Sequence, residues 1–333
     1  MRKLLWPLSF VYGAITTLRN FLYQKKMLPV YHPPIKTIAI GNLSTGGTGK
    51  TPMTEFLLKH LPYQSAVVVS RGYGRKTKGL LLVDRHGSAS DFGDEALQIA
   101  QKFPTVQVIV AEKRQLALEA ALEFTPDLAL MDDAYQHRSV QADAYIMLSA
   151  YHRLFSQDLI LPAGNLREAR QGSKRAAAIV ITKCPANLSA ARKAEIENSV
   201  QAYSAAPIYF SSLKYSDLLN PFGTKIHSTR AILFSGIAYP QYMVEHLKSK
   251  VELIDQHHFK DHYSFKKEDL IILLAQAKKE KAVLVCSEKD YVKVASLGLS
   301  RDERASIYIL GVEHFFAAQD KERFLAQLAA IIS

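Results

Sequence analysis

The feature that most constrains the fold of this chain is a loop of small residues, Ser44-Thr45-Gly46-Gly47-Thr48-Gly49-Lys50-Thr51. It lies between a short apolar run, Thr37 to Ile40, and an apolar-periodic segment, Met53 to Leu61, which predicts the order strand, loop, helix. In a P-loop, glycines let backbone N–H groups close around phosphate oxygens, the lysine reaches the β- and γ-phosphates, and the Ser or Thr hydroxyl binds Mg²⁺. The loop therefore predicts a nucleoside triphosphate site, with Ser44 standing where the pattern has its first glycine.

Short apolar runs recur after this loop, most of them separated by helical patterns such as Glu95 to Lys102 and Lys113 to Glu123. The runs are near-continuous, as is typical of strands buried on both faces. This alternation predicts an α/β fold with a P-loop NTPase-like, mostly parallel sheet and helices on both of its faces. The predicted strands are Ala66 to Val69, Val106 to Val110, Leu128 to Met131, Ala144 to Leu148 and Ala178 to Ile181.

A second series of strands begins at Ala231 to Phe234, after a looser polar stretch between Tyr209 and Thr229. We therefore expect three parts: an N-terminal segment at residues 1–28, a P-loop core at 29–215 and a smaller C-terminal α/β domain at 216–333. The remaining elements predicted for the C-terminal domain are strands at Val251 to Ile254, Ala282 to Cys286 and Ser306 to Leu310, and helices at Lys267 to Ala277 and Lys321 to Ile332.

The N-terminal segment is largely apolar between Leu4 and Leu22 and is flanked by basic residues. Arg19 and Asn20 interrupt the run before the roughly 20 apolar residues that a spanning helix requires. The segment is therefore interpreted as an interfacial helix, whose apolar side chains meet the acyl boundary and whose basic residues meet anionic headgroups. A helix packed on the protein's own core is the alternative.

The charge and cysteine content of the chain indicate which partners and sites to expect. The excess of 42 Lys+Arg over 31 Asp+Glu, a formal net charge of +11, favours an anionic partner such as nucleic acid, phospholipid headgroups or a phosphorylated substrate. The two cysteines, Cys184 and Cys286, lie far apart in apolar segments, which indicates neither a disulfide framework nor a zinc site.

The run Leu128 to Met131 ends in Asp132-Asp133, which places carboxylates at the carboxyl end of a buried strand, where open α/β sheets bind their ligands. Carboxylate oxygens suit Mg²⁺, so the two aspartates and Thr51 are the predicted metal ligands. A carboxylate is also needed to accept a proton from a hydroxyl acceptor, and Arg167 is a candidate to offset charge on a transferring phosphoryl group.

Seven polar motifs follow one another through most of the chain. They are Gly41-Asn42 with Gly46-Gly47-Thr48-Gly49-Lys50-Thr51-Pro52, Ser70-Arg71-Gly72-Tyr73-Gly74, Gly93-Asp94-Glu95, Asp132-Asp133 with Gln136-His137, Leu161-Pro162-Ala163-Gly164 with Leu166-Arg167-Glu168, Asp261-His262, and Ser287-Glu288-Lys289-Asp290. In this order they resemble the motifs of the tetraacyldisaccharide 4′-kinase family. The family's usual Asp-Asp-Gly-Phe-Gln-His reads Asp-Asp-Ala134-Tyr135-Gln136-His137 here.

The resemblance implies transfer of the γ-phosphate of ATP to the 4′-hydroxyl of a tetraacylated glucosamine disaccharide 1-phosphate, giving lipid IVA in lipid A synthesis. It implies a P-loop domain with a smaller domain that closes over the nucleotide. It also implies Asp94 as the base toward the sugar hydroxyl, tuned or oriented by His262, with Lys50, Thr51, Asp132 and Asp133 serving ATP and Mg²⁺.

A lipid substrate is consistent with a first segment that lies at the membrane interface. We expect the protein to act as a monomer on the cytoplasmic face of the bacterial inner membrane. The guanidinium groups of Arg71 and Arg75 match phosphate geometry, so they are predicted partners of the substrate's own phosphate. The full set of predicted substrate-binding residues is Arg71, Tyr73, Arg75, Gln136, His137 and Glu168.

Other readings explain less of the chain. A membrane-associated partition ATPase would carry a lysine where Thr45 stands, and it would leave the Arg-Gly-Tyr and Arg-Glu clusters without a role. A GTP-dependent regulator would need an aspartate two residues after Lys183, where Pro185 stands. No nucleic-acid partner is expected, because zinc-finger spacing and RNP-like aromatic motifs are absent from the sequence.

Overall fold

The structure, a computed structural model, describes residues 2–333. It has thirteen strands in this part of the chain: β1 (Lys36–Asn42), β2 (Ala66–Ser70), β3 (Leu81–Leu82), β4 (Gln107–Val110), β5 (Leu128–Met131), β6 (Ala144–Ala150), β7 (Ala178–Thr182), β8 (Ile208–Tyr215), β9 (Arg230–Ser235), β10 (Glu252–His258), β11 (Val283–Ser287), β12 (Ile307–Leu310) and β13 (Val312–Phe316).

The α-helices of the described residues are α1 (Trp6–Gln24), α2 (Lys50–His60), α3 (Ala89–Phe92), α4 (Asp94–Lys102), α5 (Arg114–Ala121), α6 (Ala190–Gln201), α7 (Gln241–Lys248), α8 (Lys267–Lys279), α9 (Glu288–Val294), α10 (Arg301–Ala305) and α11 (Ala318–Ile332). Short 3-10 helices occupy Arg2–Leu5, Leu122–Phe124, Phe155–Gln157 and Arg170–Arg175.

The chain forms two compact units. The first contains the residues up to Arg71, Thr105–Leu213 and His314–Ser333, and the second contains Gly72–Pro104 and Lys214–Glu313. In the first unit the strands lie in the order β13-β8-β7-β6-β1-β5-β2-β4, and β1, β2 and β4 to β8 pair in parallel. Helices flank this sheet, so the predicted α/β class is confirmed.

The core of the first unit is built from near-continuous apolar strands. In β2, β5 and β7 every residue is buried, and side chains such as Val67, Met131 and Ile179 are fully enclosed. Because all these strands run in the same direction, the P-loop after β1 and Asp132 after β5 come to the carboxyl edge of one sheet.

The second unit has its own parallel sheet, in the order β10-β9-β11-β12. Its buried residues form clusters separate from the core of the first unit, around Phe234 and Leu284 and around Leu233 and Leu310. Each strand predicted between 231 and 310 has a counterpart here, which confirms a smaller α/β unit.

The boundaries differ from the continuous domains predicted at 29–215 and 216–333. The segment Gly72–Pro104 groups with the second unit, because Lys102 pairs with Glu288 at 3.0 Å and α4 packs on α9. The segment His314–Ser333 groups with the first unit. There the ring of Phe324 packs between those of Phe56 and Tyr209, and Gln327 donates a hydrogen bond to the carbonyl of Ala177.

The N-terminal helix α1 attaches to the first unit through its small and polar residues. Ser9 and Gly13 are its buried positions. The Ser9 hydroxyl donates to the carbonyl of Ile160 at 2.9 Å and the Tyr12 hydroxyl to the carbonyl of Arg167 at 3.0 Å. Of the predicted segment 1–28, Met1 lies outside the described residues. No helix in the described chain has the length and apolarity to cross a bilayer.

The apolar side chains of α1 and the turn before it point away from this attachment. The exposed ones include Leu4, Trp6, Phe10, Ile15 and Leu18, each at least 60% exposed. The helix therefore packs on the protein through its small and polar residues and leaves its apolar face outward, so it is not docked on the core by that face.

Candidate active site

The P-loop is held in shape through its carbonyl oxygens. Arg153 Nη2 donates to the carbonyl of Thr45 at 2.8 Å, and the Thr182 hydroxyl donates to the carbonyl of Thr48 at 2.9 Å. His314 is 2.9 Å from the carbonyl oxygen of Gly49 through Nε2. In a trans peptide the N–H points opposite to the C=O, so these bonds turn the N–H groups of the following residues toward the inside of the loop. Such a ring of N–H groups is an anion site.

The protonation of His314 follows from its two partners. A carbonyl oxygen only accepts, so Nε2 carries the hydrogen, and Nδ1 accepts from the Ser211 hydroxyl at 2.7 Å. Burial lowers the pKa of His314 to about 4, which keeps the ring neutral. Neither His314 nor Ser211 belongs to a sequence motif, and sequence reasoning missed both because they are brought to the loop by β13 and β8.

Two positions in the loop differ in what they require of the backbone. Gly49 has φ of +87°, and a Cβ atom there would lie 2.9 Å from His314 Nε2, so glycine is needed. Ser44 forms a bridge with Leu166 and does not have a positive φ. The serine in place of the first glycine of the pattern is therefore compatible with this loop.

Asp133 is the acidic centre of the first unit's site. Its carboxylate lies 3.4 Å from Lys50 Nζ and 3.3 Å from Arg167 Nη1. Burial alone would raise the pKa of Asp133, but the charges of Lys50 and Arg167 outweigh it and lower the pKa. Asp133 is therefore ionised, and the structure brings together three residues predicted from separate motifs.

Asp132 is almost fully buried beside the start of α2. Its carboxylate accepts a hydrogen bond from Thr54 at 3.4 Å, and Thr54 is three residues after Thr51 on the same helix. The Asp132 main-chain carbonyl accepts from Arg114 at 3.3 Å. Thr51, Asp132 and Asp133 together supply a hydroxyl and two carboxylates, which are hard oxygen donors of the kind that Mg²⁺ prefers. The residues present thus fit a magnesium ion.

Asp133 also explains a departure from the family pattern. The residue with a left-handed backbone in this turn is Asp133, with φ of 45°, and Ala134 is not among the described residues of positive φ. Alanine in place of the family's glycine therefore costs no backbone strain.

Glu168 was predicted to bind the substrate, but in the structure side chains of the protein surround its carboxylate. It is 2% exposed, and its two oxygens accept from Arg175 at 2.9 Å, Arg138 at 2.8 Å, Asn20 at 2.7 Å and Gln136 at 3.2 Å. With four donors bound, its carboxylate has no side open to a substrate. It joins the end of α1 to the loop that carries Arg167.

Gln136 and His137 were also predicted to bind the substrate. In the structure Gln136 is hydrogen-bonded within the protein and His137 is half-buried. Gln136 donates to the carbonyl of Asn42 at 2.7 Å and accepts from Arg167 Nη1 at 3.3 Å, which orients that guanidinium. Burial, followed by the charge of Arg114, lowers the pKa of His137 to about 4. His137 is neutral near pH 7 and contributes no charge to an anion.

The second unit contains a separate cluster around Asp94. His262 Nδ1 lies 2.9 Å from Asp94 Oδ2, and Lys289 Nζ lies 3.4 Å from His262 Nε2 and 3.0 Å from Glu95. An ammonium only donates, so Nε2 accepts and Nδ1 carries the hydrogen that faces Asp94. Lys289 belongs to a motif of the resemblance but was not among the predicted site residues.

Asp94 is held as a carboxylate. It is 5% exposed, and its second oxygen accepts the backbone N–H of Glu95 at 2.9 Å at the start of α4. Burial would raise the pKa of Asp94, but the hydrogen bond from His262 and the charges of Lys289 and His262 lower it. The His262 side chain is 26% exposed and lies against the ring of Tyr73, with centroids 4.7 Å apart.

The two predicted phosphate-binding arginines are in different units. Arg71 is exposed at the end of its segment of the first unit. Arg75, in the second unit, donates from Nη2 to the carbonyl of Gly79 at 2.6 Å. Their contact with a substrate stays a prediction.

Comparisons with known proteins show which family the chain belongs to. The family model described as LpxK, tetraacyldisaccharide-1-P 4′-kinase, matches residues 1–333. Tetraacyldisaccharide 4′-kinase of Flavobacterium johnsoniae is 40% identical over 304 residues, covering 88% of each chain, and that of Porphyromonas gingivalis is 33% identical and covers 100% of this chain and 98% of its own.

Among solved structures, the "apo" form of LpxK from Aquifex aeolicus in complex with ATP is similar, with a TM-score of 0.78 and 27% identity. The match covers 100% of this chain and 99% of that one. From the family model over its whole length and from these relatives, the chain belongs to the tetraacyldisaccharide-1-P 4′-kinase family.

Proposed function

We propose that this protein transfers the γ-phosphate of ATP to the 4′-hydroxyl of a tetraacyldisaccharide 1-phosphate, giving lipid IVA. The observation that carries the proposal is the P-loop with Lys50 and Arg167 on the carboxylate of Asp133, in a chain that belongs to a kinase family. The Aquifex aeolicus relative binds ATP, which supports the same nucleotide here.

The first unit serves the phosphates. The N–H groups of the P-loop and Lys50 bind the β- and γ-phosphates, and the Arg167 guanidinium offsets charge that develops on the transferring group. Lys50 and Arg167 exchange the Asp133 carboxylate for phosphate oxygens when ATP binds. Thr51, Asp132 and Asp133 would hold Mg²⁺, which when bound neutralises part of the phosphate charge.

The second unit serves the acceptor hydroxyl. A sugar hydroxyl is a poor nucleophile, so a base must accept its proton as the new bond forms. The resemblance implies Asp94 in this role. In the structure both Asp94 oxygens accept hydrogen bonds and its pKa is lowered, which makes it a weak base. We therefore assign the proton to His262 Nε2 once the acceptor hydroxyl takes the place of the Lys289 ammonium there, with Asp94 fixing the tautomer and balancing the charge that arises on the ring.

Imidazole rescue separates these two assignments. In a His262→Ala variant, added imidazole restores part of the turnover if His262 accepts the proton, and the rescue disappears in the double variant with Asp94→Ala. If imidazole has no effect while Asp94→Ala alone abolishes turnover, the proton goes to Asp94 directly.

The exposed apolar face of α1 is consistent with a lipid acceptor, because that face can enter a membrane. Side chains such as Trp6 and Phe10 can enter the acyl boundary, while Arg19, Lys25 and Lys26 face anionic headgroups. We propose peripheral attachment to the cytoplasmic face of the inner membrane, acting as a monomer.

The position of the new phosphate tests the reaction. Purified protein, ATP and Mg²⁺ are incubated with tetraacyldisaccharide 1-phosphate in detergent micelles, and the product is analysed by ³¹P NMR. A second phosphate monoester at the 4′ position supports the proposal. A product phosphorylated elsewhere, or inorganic phosphate alone, overturns it.

A further inference from the structure

A basic pocket opens beside the end of α1, and neither the P-loop nor Asp133 lines it. The cavity measures about 660 Å³ and is lined by Lys26, Arg138, Lys174 and Arg175, together with polar groups from α1 such as Asn20 and Gln24. Several of the other lining residues lead into strands, among them His32 before β1 and Gln141 before β6. The nucleotide loop follows its strand, so the pocket extends toward the opposite edge of the sheet.

The charge of this pocket is positive and incompletely balanced. Arg138 and Arg175 share one carboxylate, that of Glu168, and no Asp or Glu is among the described residues that line the cavity. Lys26 and Lys174 are exposed at its rim. Burial and the neighbouring Arg175 lower the pKa of Arg138, as expected where positive charges crowd together. An anion would relieve this repulsion.

An apolar groove runs along α1 from the mouth of this pocket. It measures about 550 Å³ and is lined by Phe10, Gly13, Ala14, Leu18 and Ile160. The groove and the basic pocket share Thr17 and Phe21. Gly13 lets α1 approach Ile160 closely at the floor of the groove, since a Cβ atom there would lie 3.2 Å from the Ile160 side chain. The basic pocket is thus continuous with the apolar groove.

We propose that the basic pocket and the apolar groove bind one anionic glycerophospholipid of the membrane, with its phosphate among Lys26, Arg138, Lys174 and Arg175 and an acyl chain along α1. The lipid would stabilise the attachment of α1 to the loop of Arg167, because Glu168 in that loop binds both Asn20 of α1 and the two arginines of the pocket. This inference rests on the proposed membrane attachment but not on the identity of the acceptor.

A bilayer phospholipid fits better than the substrate of the reaction. The acceptor hydroxyl must reach the γ-phosphate at the carboxyl edge of the sheet, whereas the pocket extends toward the amino ends of β1, β6 and β7. The exposed apolar face of α1 also places the groove where bilayer lipids are present at high concentration.

The test uses native mass spectrometry of the full protein in neutral detergent micelles, titrated with phosphatidylglycerol or with phosphatidylcholine. Neutral micelles remove the surface potential that would attract any basic protein. The pocket variant is Lys26→Gln/Lys174→Gln, which spares the arginines that hold Glu168. The control is Lys113→Gln/Lys279→Gln, which removes equal charge from exposed sites outside the pocket.

We expect a one-to-one phosphatidylglycerol adduct with wild type and the control, and at least about tenfold weaker binding by the pocket variant, since each lost charge-assisted contact to the phosphate weakens binding by about tenfold. An Ala14→Trp variant, which fills the groove, should weaken binding similarly. Equal binding of phosphatidylcholine, or equal loss in pocket variant and control, overturns the proposal.

Kinase assays distinguish an error in the phospholipid assignment from an error in the proposed reaction. If the pocket instead holds the substrate's own phosphate, the pocket variant raises the KM for tetraacyldisaccharide 1-phosphate in phospholipid-free micelles while phosphatidylglycerol binds as in wild type. That result also overturns the phospholipid assignment. Lipid adduct formation itself requires no turnover, so an inactive preparation still tests the pocket.

Discussion

The phosphate-binding loop and the Asp94–His262 pair are built in opposite ways. The loop is one continuous stretch of eight residues, and its carbonyls are bound by side chains from β7, from β13 and from the turn after β6. The pair joins residues 168 positions apart, and its histidine is 26% exposed. The first is a rigid cradle for charge, whereas the second is a partly exposed pair whose histidine Nε2 faces the Lys289 ammonium at 3.4 Å.

Substitutions at the two sites should therefore change different measured quantities. Removing a support of the cradle leaves buried polar groups unpaired, so the free energy of unfolding and the KM for ATP should respond first. Changing the pair alters a proton transfer, so kcat should respond with little change in stability.

The largest effect is expected at Asp94. Asp94→Asn lets the amide donate to His262 Nδ1, which moves the ring hydrogen to Nε2 and removes the proton acceptor. By analogy with the same substitution in a serine protease triad, kcat should fall about 10⁴-fold, with the KM for ATP nearly unchanged. Steady-state kinetics measure this. Asp261→Asn is the control, since that carboxylate is 42% exposed and 4.0 Å from Nε2. Equal losses in both variants would contradict the account.

The second-largest effect is expected at Glu168, in the unit that contains the P-loop. Glu168→Gln leaves Arg138 and Arg175 without their shared carboxylate, which should lower the free energy of unfolding by about 3 kcal/mol. Urea unfolding measures the change. Glu195→Gln, which breaks an exposed pair with Arg192, should cost less than about 0.5 kcal/mol. If both variants unfold alike, Glu168 does not support this region.

A pH profile should reveal the buried neutral histidine. The pKa of His314 is lowered from 6.5 to about 4, so between these values the unfolded chain binds a proton that the folded chain does not. Stability should therefore fall as pH falls through this window, by about 3 kcal/mol for this group. His314→Gln keeps an N–H toward Gly49 but cannot titrate, so its stability should fall less steeply below pH 6.5 and run parallel to wild type above it. Identical slopes would show that His314 is not neutral when folded.

The smallest effect is expected at Ser211. Ser211→Ala removes the donor to His314 Nδ1 while the bond to Gly49 remains. The KM for ATP should rise no more than about threefold and stability should fall by about 1 kcal/mol, with kcat unchanged. ATP titrations and thermal unfolding test this together. A loss of kcat without a change in KM would mean that the loop is not what Ser211 supports.

The sequence predicted well what depends on neighbouring residues. The strand, loop and helix around Lys50 and the carboxylates after β5 all follow from local pattern, because apolar runs and glycine spacing encode them directly. The strand β8 was missed, since polar residues such as Ser211 and Lys214 interrupt its apolar pattern.

What depends on distant contacts could not be predicted. The C-terminal helix α11 reads as an amphipathic helix wherever it docks, and only the packing of Phe324 shows that it returns to the first unit. In the same way, nothing in the local sequence of Glu168 indicates that two arginines and a residue of α1 enclose its carboxylate.

The most direct test of the account follows both products of γ-labelled ATP at once, labelled lipid and labelled inorganic phosphate, for wild type and Asp94→Ala with tetraacyldisaccharide 1-phosphate in micelles. Wild type should label lipid rapidly, and the variant should label almost none while it still binds ATP. ATP hydrolysis without labelled lipid in the wild type, or undiminished lipid labelling by Asp94→Ala, would contradict the account.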